Sequence, residues 1–249
     1  MKIAVCAKQI PDPAIEITYN GGIINRPDEQ VLDDTDRYGI EVALQLKEKF
    51  DAEVTVISMG SLGTEKGIQQ ALQMGPDGAL VLEDDSLSGA NSLMTANVLS
   101  ELSKKVEADI TIFGTESTDG YSGVIPQQVS RMLGVPCISY IKAVDIDESV
   151  TLTRQTSTGS EKVVMPSNCV LSVTAGGVEP RYPNFKDIMA AKSKPIERIS
   201  IADINYDTQQ NLEFVDIKDV STTKQGEKII DEGEGFQIII DKLKELKAI

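Results

Sequence analysis

Short, almost wholly apolar runs alternate with longer stretches of helical period through the first two-thirds of the chain. The runs Lys2–Ala7, Glu53–Ser58, Ala79–Leu82, Ile110–Phe113 and Cys137–Tyr140 read as strands covered on both faces. Between them, apolar and small residues recur every three or four positions. Gly39, Val42, Ala43, Leu46 and Phe50 form one stripe on Asp36–Phe50. Ile68, Ala71 and Leu72 do the same on Thr64–Met74, where Gly75 supplies the stop. Met94, Val98, Leu102 and Val106 step along Ser92–Val106, and Ile125, Val129, Met132 and Leu133 along Ser122–Leu133, which ends at Gly134. Strands joined by crossover helices in this way predict an α/β fold with a doubly wound, mostly parallel sheet.

The pattern shifts in three places. Glu16-Ile-Thr-Tyr and Ile23-Ile-Asn-Arg flank Asn20-Gly-Gly, which predicts a tight hairpin inside the first crossover. Past Tyr140, the segments Ala143–Asp147, Ser149–Thr156 and Lys162–Met165 read as a meander, followed by a further strand at Val170–Thr174. From about Tyr206 the chain turns polar and irregular, through Val220-Ser-Thr-Thr-Lys-Gln-Gly-Glu, and closes on an amphipathic helix, Phe236–Lys247. Its stripe is Phe236, Ile239, Ile240, Leu243 and Leu246. The expected organisation is a nucleotide-binding α/β domain over 1–205 and a C-terminal arm over 206–249. The helix of the arm docks either on its own domain or on a partner chain.

Composition narrows the function. With 39 acidic against 24 basic residues and a net charge of −15, the chain gains nothing from phosphate counterion release, so nucleic acid is not an expected partner. Histidine is absent, which removes Ser-His and Cys-His nucleophile chemistry. Cys6, Cys137 and Cys169 are widely spaced in apolar contexts and make neither a disulfide framework nor a C-x-x-C motif. No stretch approaches the roughly 20 apolar residues of a membrane span, and the cytoplasm is the default expectation.

Three loops follow the carboxyl ends of predicted strands: Cys6-Ala-Lys-Gln-Ile-Pro-Asp, Met59-Gly-Ser-Leu-Gly-Thr and Gly114-Thr-Glu-Ser-Thr-Asp-Gly-Tyr-Ser-Gly. In an open α/β sheet such loops hold the ligand. The third packs three glycines and four Ser or Thr hydroxyls into ten residues and opens a helix. Glycines let a ligand approach the backbone, and a helix N-terminus offers N–H groups to an anion. A phosphate at Ser122–Val124, with Ser122 as N-cap, is one reading; a well-capped surface turn is the other. No Walker loop or G-x-G-x-x-G is present, so nucleotide binding is expected without turnover. Asp33-Asp-Thr-Asp36 could hold Mg²⁺, but acids before a helix are explained by the dipole alone.

The stretch Val178-Glu-Pro-Arg-Tyr-Pro-Asn-Phe-Lys-Asp-Ile-Met-Ala-Ala-Lys192 resembles the signature of electron transfer flavoprotein β subunits, in which Asn-Glu-Pro-Arg-Tyr leads into an Ile-Met-x-Ala-Lys helix. The likeness continues through Val5-Cys-Ala-Lys, Leu44-Gln-Leu-Lys-Glu-Lys, Gln70-Ala-Leu-Gln-Met-Gly and Gly114–Gly123. The tail Gly226-Glu-Lys-Ile-Ile-Asp-Glu-Gly-Glu-Gly looks most like actinobacterial-type members. The resemblance implies an adenine-nucleotide α-hydrolase-like fold and an αβ heterodimer whose α subunit holds the redox-active FAD, while the β subunit keeps a structural AMP. Electrons would come from dehydrogenases, typically acyl-CoA dehydrogenases, and leave to a membrane quinone oxidoreductase. The residues implied in nucleotide contact are Cys6 and Ala7, Asp33 to Asp36, Met59, Gly114 and Thr118, with the phosphate on Asp119, Gly120, Tyr121, Ser122 and Gly123. Arg181, Tyr182 and Phe185 fall on the partner-recognition segment, Phe185 at the anchoring position.

The chain departs from the family pattern at several positions. Electron-bifurcating members read Asp-Gly-Asp-Thr-Ala-Gln-Val-Gly-Pro at the nucleotide loop and hold a second FAD in place of AMP; here the loop reads Asp119-Gly-Tyr-Ser-Gly-Val-Ile-Pro. AMP is the favoured expectation and a second FAD the alternative. Asp33 stands where many members have Asn. An acid there repels phosphate, so it is expected at the adenosine end or in solvent. Val178 replaces an Asn, and Gln155 a glutamate implied near the flavin ring. Two other classes fit less well: ATP pyrophosphatases need a Ser-Gly-Gly-x-Asp-Ser loop after strand one, and ATP-sensing stress modules lack such an arm.

Overall fold

The computed structural model describes residues 1–16, 18–20, 23–27, 29–60, 65–206, 228, 230–231 and 233–249. The chain divides into two compact units, Met1–Phe214 and Val215–Ile249. In chain order the first unit contains β1 (Lys2–Cys6), β2 (Gln9–Pro11), β3 (Tyr19–Asn20), β4 (Ile23–Ile24), β5 (Gln30–Leu32), α1 (Asp36–Phe50), β6 (Glu53–Gly60), α2 (Lys66–Met74) and β7 (Gly78–Glu83). It continues with α3 (Ser92–Lys105), β8 (Ile110–Gly114), α4 (Ile125–Leu133), β9 (Cys137–Ile146), β10 (Val150–Thr156), β11 (Gly159–Val164), β12 (Cys169–Val173), α5 (Phe185–Ala191) and β13 (Ile196–Ile199).

Nine strands form one sheet in the order β11-β10-β9-β12-β8-β1-β6-β7-β13. From β9 to β13 every neighbouring pair is parallel, while β10 and β11 add an antiparallel edge. The doubly wound, mostly parallel α/β sheet expected from the sequence is therefore present. Alternation along β1 shows why both faces must be covered. Ile3 and Val5 pack with Ile40, Leu46, Ile68 and Leu72 of α1 and α2, while Ala4 and Cys6 pack with Val98, Leu102 and Val129 of α3 and α4. Burial of such side chains, at about 25 cal/mol per Å² of apolar surface, is the main force holding the layers.

Several boundaries differ from the sequence reading. Cys137–Tyr140 and Ala143–Asp147 are one strand, β9, because Tyr140 adopts a left-handed φ of 61° and bulges without ending the pairing. Its N–H donates to the Ser172 hydroxyl at 3.1 Å. Phe50 does not complete the α1 stripe; it is exposed at the last turn. The edge strand β13 and the β2–β5 ribbon carry no periodicity long enough to read. Cys137 and Cys169 lie on adjacent strands but belong to opposite core faces, and the cysteines are free. The predicted hairpin appears as β3 paired with β4, its Gly21-Gly22 tip lying outside the described residues, as do Ser61–Thr64 and positions 207–227.

The ribbon sits directly on the first turns of α2. Gln9 Oε1 accepts the Gly67 N–H at 3.0 Å, and Gln70 Oε1 accepts the Leu32 N–H at 2.8 Å. A Cβ on Gly67 would lie 2.9 Å from the backbone nitrogen of Leu32 and 2.8 Å from Gln9 Cγ. Gly67→Ala is therefore expected to destabilise by about 1–3 kcal/mol despite alanine's better helix propensity, because backbone cannot yield. Chemical denaturation checks this; a stabilised variant would show that the ribbon moves freely.

In the second unit, α6 (Gly235–Glu245) is amphipathic, yet Phe236, Ile239 and Leu246 are all exposed.

Candidate functional site

Strand order reverses between β1 and β8: β6, β7 and β13 extend the sheet to one side of β1, and β8, β12 and β9 to the other. Loops leaving the carboxyl ends of β1 and β8 must diverge here, and the crevice they leave is where open α/β sheets bind ligands. Two of the three loops picked from sequence meet at this point.

Three aspartates hold them together. Asp36, the first residue of α1, accepts the Lys8 N–H at 2.7 Å through Oδ2 and also accepts the backbone N–H of Gly114, so it bridges the two strand ends. Burial pushes its carboxyl up to about 8; the Lys8 and Gly114 donors pull the other way, and neighbouring Asp33 adds to the rise. Asp33 is fully buried. Its Oδ1 accepts the N–H and hydroxyl of Thr35 at 3.0 and 2.9 Å, and its Oδ2 accepts the N–H and hydroxyl of Thr118 at 2.7 and 3.1 Å. Of the two placements expected for Asp33, solvent is thereby excluded. A short acid bridging two turns satisfies four donors that would otherwise be stranded.

Asp119 closes the other side. Its side chain is only 2% exposed and takes Lys8 Nζ at 2.6 Å and the Arg26 guanidinium. Burial raises this carboxyl, but the two cations win and hold it below the usual carboxylate range. Lys8 also donates to Ser117 Oγ at 3.1 Å, and Arg26 to the Gln9 carbonyl and Gln30 Oε1, both at 3.1 Å. Neither cation was singled out from the sequence. Lys8 directly follows a strand, which was the available signal; nothing local marks Arg26.

The turn itself differs in one respect from its reading. Ser122 does not cap α4, which begins at Ile125 with Val124 at the cap position and no side-chain cap bond. The cause is backbone shape: Tyr121 and Gly123 both have positive φ, 47° and 62°, so the chain swings Ser122 outward before the helix starts. Among the described residues no acceptor takes the backbone N–H of Ser122, Gly123 or Val124. Gly120 leaves room beneath the turn, since a Cβ there would lie 3.1 Å from Ser117 Oγ and 3.5 Å from Lys8 Nζ. Cys6 and Ala7 are buried at the end of β1, so only their backbone can face the crevice. Met59 lies in β6 itself and packs on the α3/α4 face. Among the described residues no group of three His, Cys, Asp or Glu side chains gathers to hold a metal.

A family model described as "Electron transfer flavoprotein domain" matches residues 21–204. The chain belongs to the electron transfer flavoprotein family. It is 32% identical to the electron transfer flavoprotein subunit beta of Mycobacterium tuberculosis and 34% identical to that of Mycobacterium leprae, covering 99% of this chain and of each relative. It is 31% identical to that of Clostridium acetobutylicum, over 98% of both. Similarity to β subunits along their full length places the chain in the β-subunit family, with a role in electron transfer and an α subunit as the implied partner. No described helix is long and apolar enough to cross a membrane.

Within the signature segment, the loop before α5 is tied to α1 by one buried acid. Glu41 Oε2 accepts Arg181 Nε at 2.8 Å and its backbone N–H at 3.1 Å, and Oε1 accepts Nη2 at 3.0 Å; Glu48 takes Nη1. Burial would raise the Glu41 carboxyl, but the bonds from Arg181 and Gln45 outweigh it and hold it down. Arg181 is thus engaged within the chain. Its neighbours are free: Tyr182 is 91% and Phe185 80% exposed. Phe185 opens α5, whose cap is a reciprocal pair between Asn184 and Asp187.

Proposed function

We propose that this chain is the nucleotide-keeping half of a cytoplasmic αβ electron carrier and performs no bond-making chemistry of its own. The α subunit holds the FAD that accepts electrons from acyl-CoA dehydrogenase-type donors and yields them to a quinone oxidoreductase. AMP lies at the β1/β8 switch point. Its phosphate meets the backbone of Asp119 to Gly123, and its adenosine end the chain around Cys6, Ala7, Asp33, Asp36, Met59, Gly114 and Thr118. Tyr182 and Phe185 contact the donor, Arg181 holding their loop in place. The observation that carries the reading is a turn whose N–H groups at Ser122, Gly123 and Val124 are left for an external acceptor, in a chain aligned end to end with β subunits.

The test is the nucleotide content of the pair, co-expressed with the α subunit and released by denaturation for mass analysis. One FAD and one AMP per heterodimer is the expected result. Two FAD would replace the AMP assignment with the bifurcating arrangement, and no adenine nucleotide beyond one FAD would end it.

A further inference from the structure

The nucleotide site reads, on its surface, as a backbone cradle. Beneath it, however, two side chains of positive charge are fixed by a buried acid, and their bonding leaves capacity unused. Lys8 Nζ has three N–H donors and spends two, on Asp119 and Ser117. Arg26 has five and spends three, on Gln9, Gln30 and Asp119. The charges are layered by depth. The Asp119 side chain is 2% exposed, against 39% for Lys8 and 30% for Arg26. Asp33 is deeper still and committed to Thr118 and Thr35. Asp36, with its carboxyl near 8, is mostly uncharged at neutral pH. The carboxylates are therefore the more buried groups and the two cations the more exposed, beside the turn to which Asp119 belongs.

That layer lies at the turn with the unpaired N–H groups. Lys8 Nζ is 3.5 Å from where a Gly120 Cβ would stand, so the ammonium touches the underside of the loop, and glycine keeps the path open. One group opposes: Glu116 Oε2 lies 3.3 Å from the corresponding point on Gly123. With two cations on one buried carboxylate, an arriving anion would meet donors already held in place, which lowers the ordering cost of binding.

We propose that Lys8 and Arg26 form a phosphoryl subsite of the nucleotide site, oriented by Asp119, and that they set the preference for phosphorylated over unphosphorylated adenosine. The proposal rests on the nucleotide reading above and adds the two side chains that give it selectivity. Asp119 is a positioning residue in this scheme; Lys8 and Arg26 contact the phosphoryl oxygens.

Calorimetric titration of the nucleotide-depleted heterodimer with adenosine and with AMP separates the two claims. In the wild type AMP should bind at least tenfold more tightly than adenosine. Lys8→Met and Arg26→Gln should each lose about tenfold in AMP affinity with adenosine affinity unchanged, whereas Arg26→Lys should keep most of it. AMP affinity unchanged in both variants, or adenosine weakened as much as AMP, overturns the subsite while leaving nucleotide binding intact. Failure of the wild type to bind either ligand defeats the underlying reading instead. A measurement on the unaltered protein covers variants that do not fold. AMP, but not adenosine, should shield Lys8 from acetic anhydride, as read by peptide mass; equal labelling with both ligands overturns the subsite.

Discussion

Arg181→Met should cost about 2–3 kcal/mol of folding stability at pH 8 and much less at pH 4. The guanidinium is the main charge partner of Glu41, which is buried in α1. Removing one member of such a pair strands the other, and this usually costs more than the pair ever contributed. The lower part of that range applies, because the Arg181 side chain is about one-third exposed and Glu41 keeps Gln45 and the backbone N–H of residue 181. The pH dependence carries the argument. In the wild type the Glu41 carboxyl sits below its ordinary 4.5, so its contribution is present above that value and is lost as pH falls through the folded one. Without the guanidinium, burial is opposed only by Gln45 and the residue-181 N–H; the carboxyl then rises, and the variant loses stability as pH climbs past 4.5. The gap between the two proteins must therefore widen from pH 4 to pH 8. Urea titrations at both values measure it; a gap of equal size at the two would mean that Arg181 acts by packing alone. The same variant releases the loop bearing Tyr182 from α1, so the donor contacts proposed for that loop should weaken even where the core stays folded.

The framework was legible because its signals are local. The mostly apolar runs Lys2–Ala7 and Ile110–Phe113 read as strands covered on both faces, and the spacing of Ile68, Ala71 and Leu72 as a helix packed on the sheet, which is how β1, β8 and α2 form. The turn proposed to bear the ligand stands out for the same reason, since glycines and hydroxyls cluster within ten consecutive residues. What stayed hidden depends on contacts between distant positions. Arg26 and Asp119 are 93 residues apart, and Arg181 and Glu41 140 apart. Nothing near Asp33 announces that its carboxylate will meet Thr118 rather than water. Ser122 meets the residue-type rule for an N-cap, a Ser before an apolar helical run, but does not serve as one because the positive φ of Gly123 intervenes. A rule that reads residue types cannot see a backbone swing set by tertiary ties.

Asp36→Asn should reverse the order of stability between pH 5 and pH 9. The wild-type carboxyl is held near 8 in the folded chain against 3.8 as its ordinary value, with burial the leading cause. A folded state that binds a proton the unfolded state releases is favoured by acid. The contribution is complete below 3.8 and is lost as pH rises through 8. Over that window each pH unit removes up to about 1.4 kcal/mol, or on the order of 3 kcal/mol between pH 5 and pH 8 after allowing for relaxation. Asparagine keeps an oxygen for the Lys8 N–H at the β1 end and does not titrate, so the variant should lack this slope. If its amide nitrogen faces the Gly114 N–H, the resulting cost is the same at every pH and displaces the curve without tilting it. The Cys6 thiol beside Asp36 is pushed well above its ordinary value by its own burial, away from this window. Melting temperatures of both proteins from pH 5 to pH 9 decide the matter, and parallel curves would place the Asp36 proton outside the folding equilibrium. The functional consequence follows from position. A carboxyl that bridges the two strand ends and is mostly uncharged at neutral pH spares the proposed anion site beside it one negative charge, so above pH 8 the wild type should lose phosphate-bearing ligand faster than the asparagine variant.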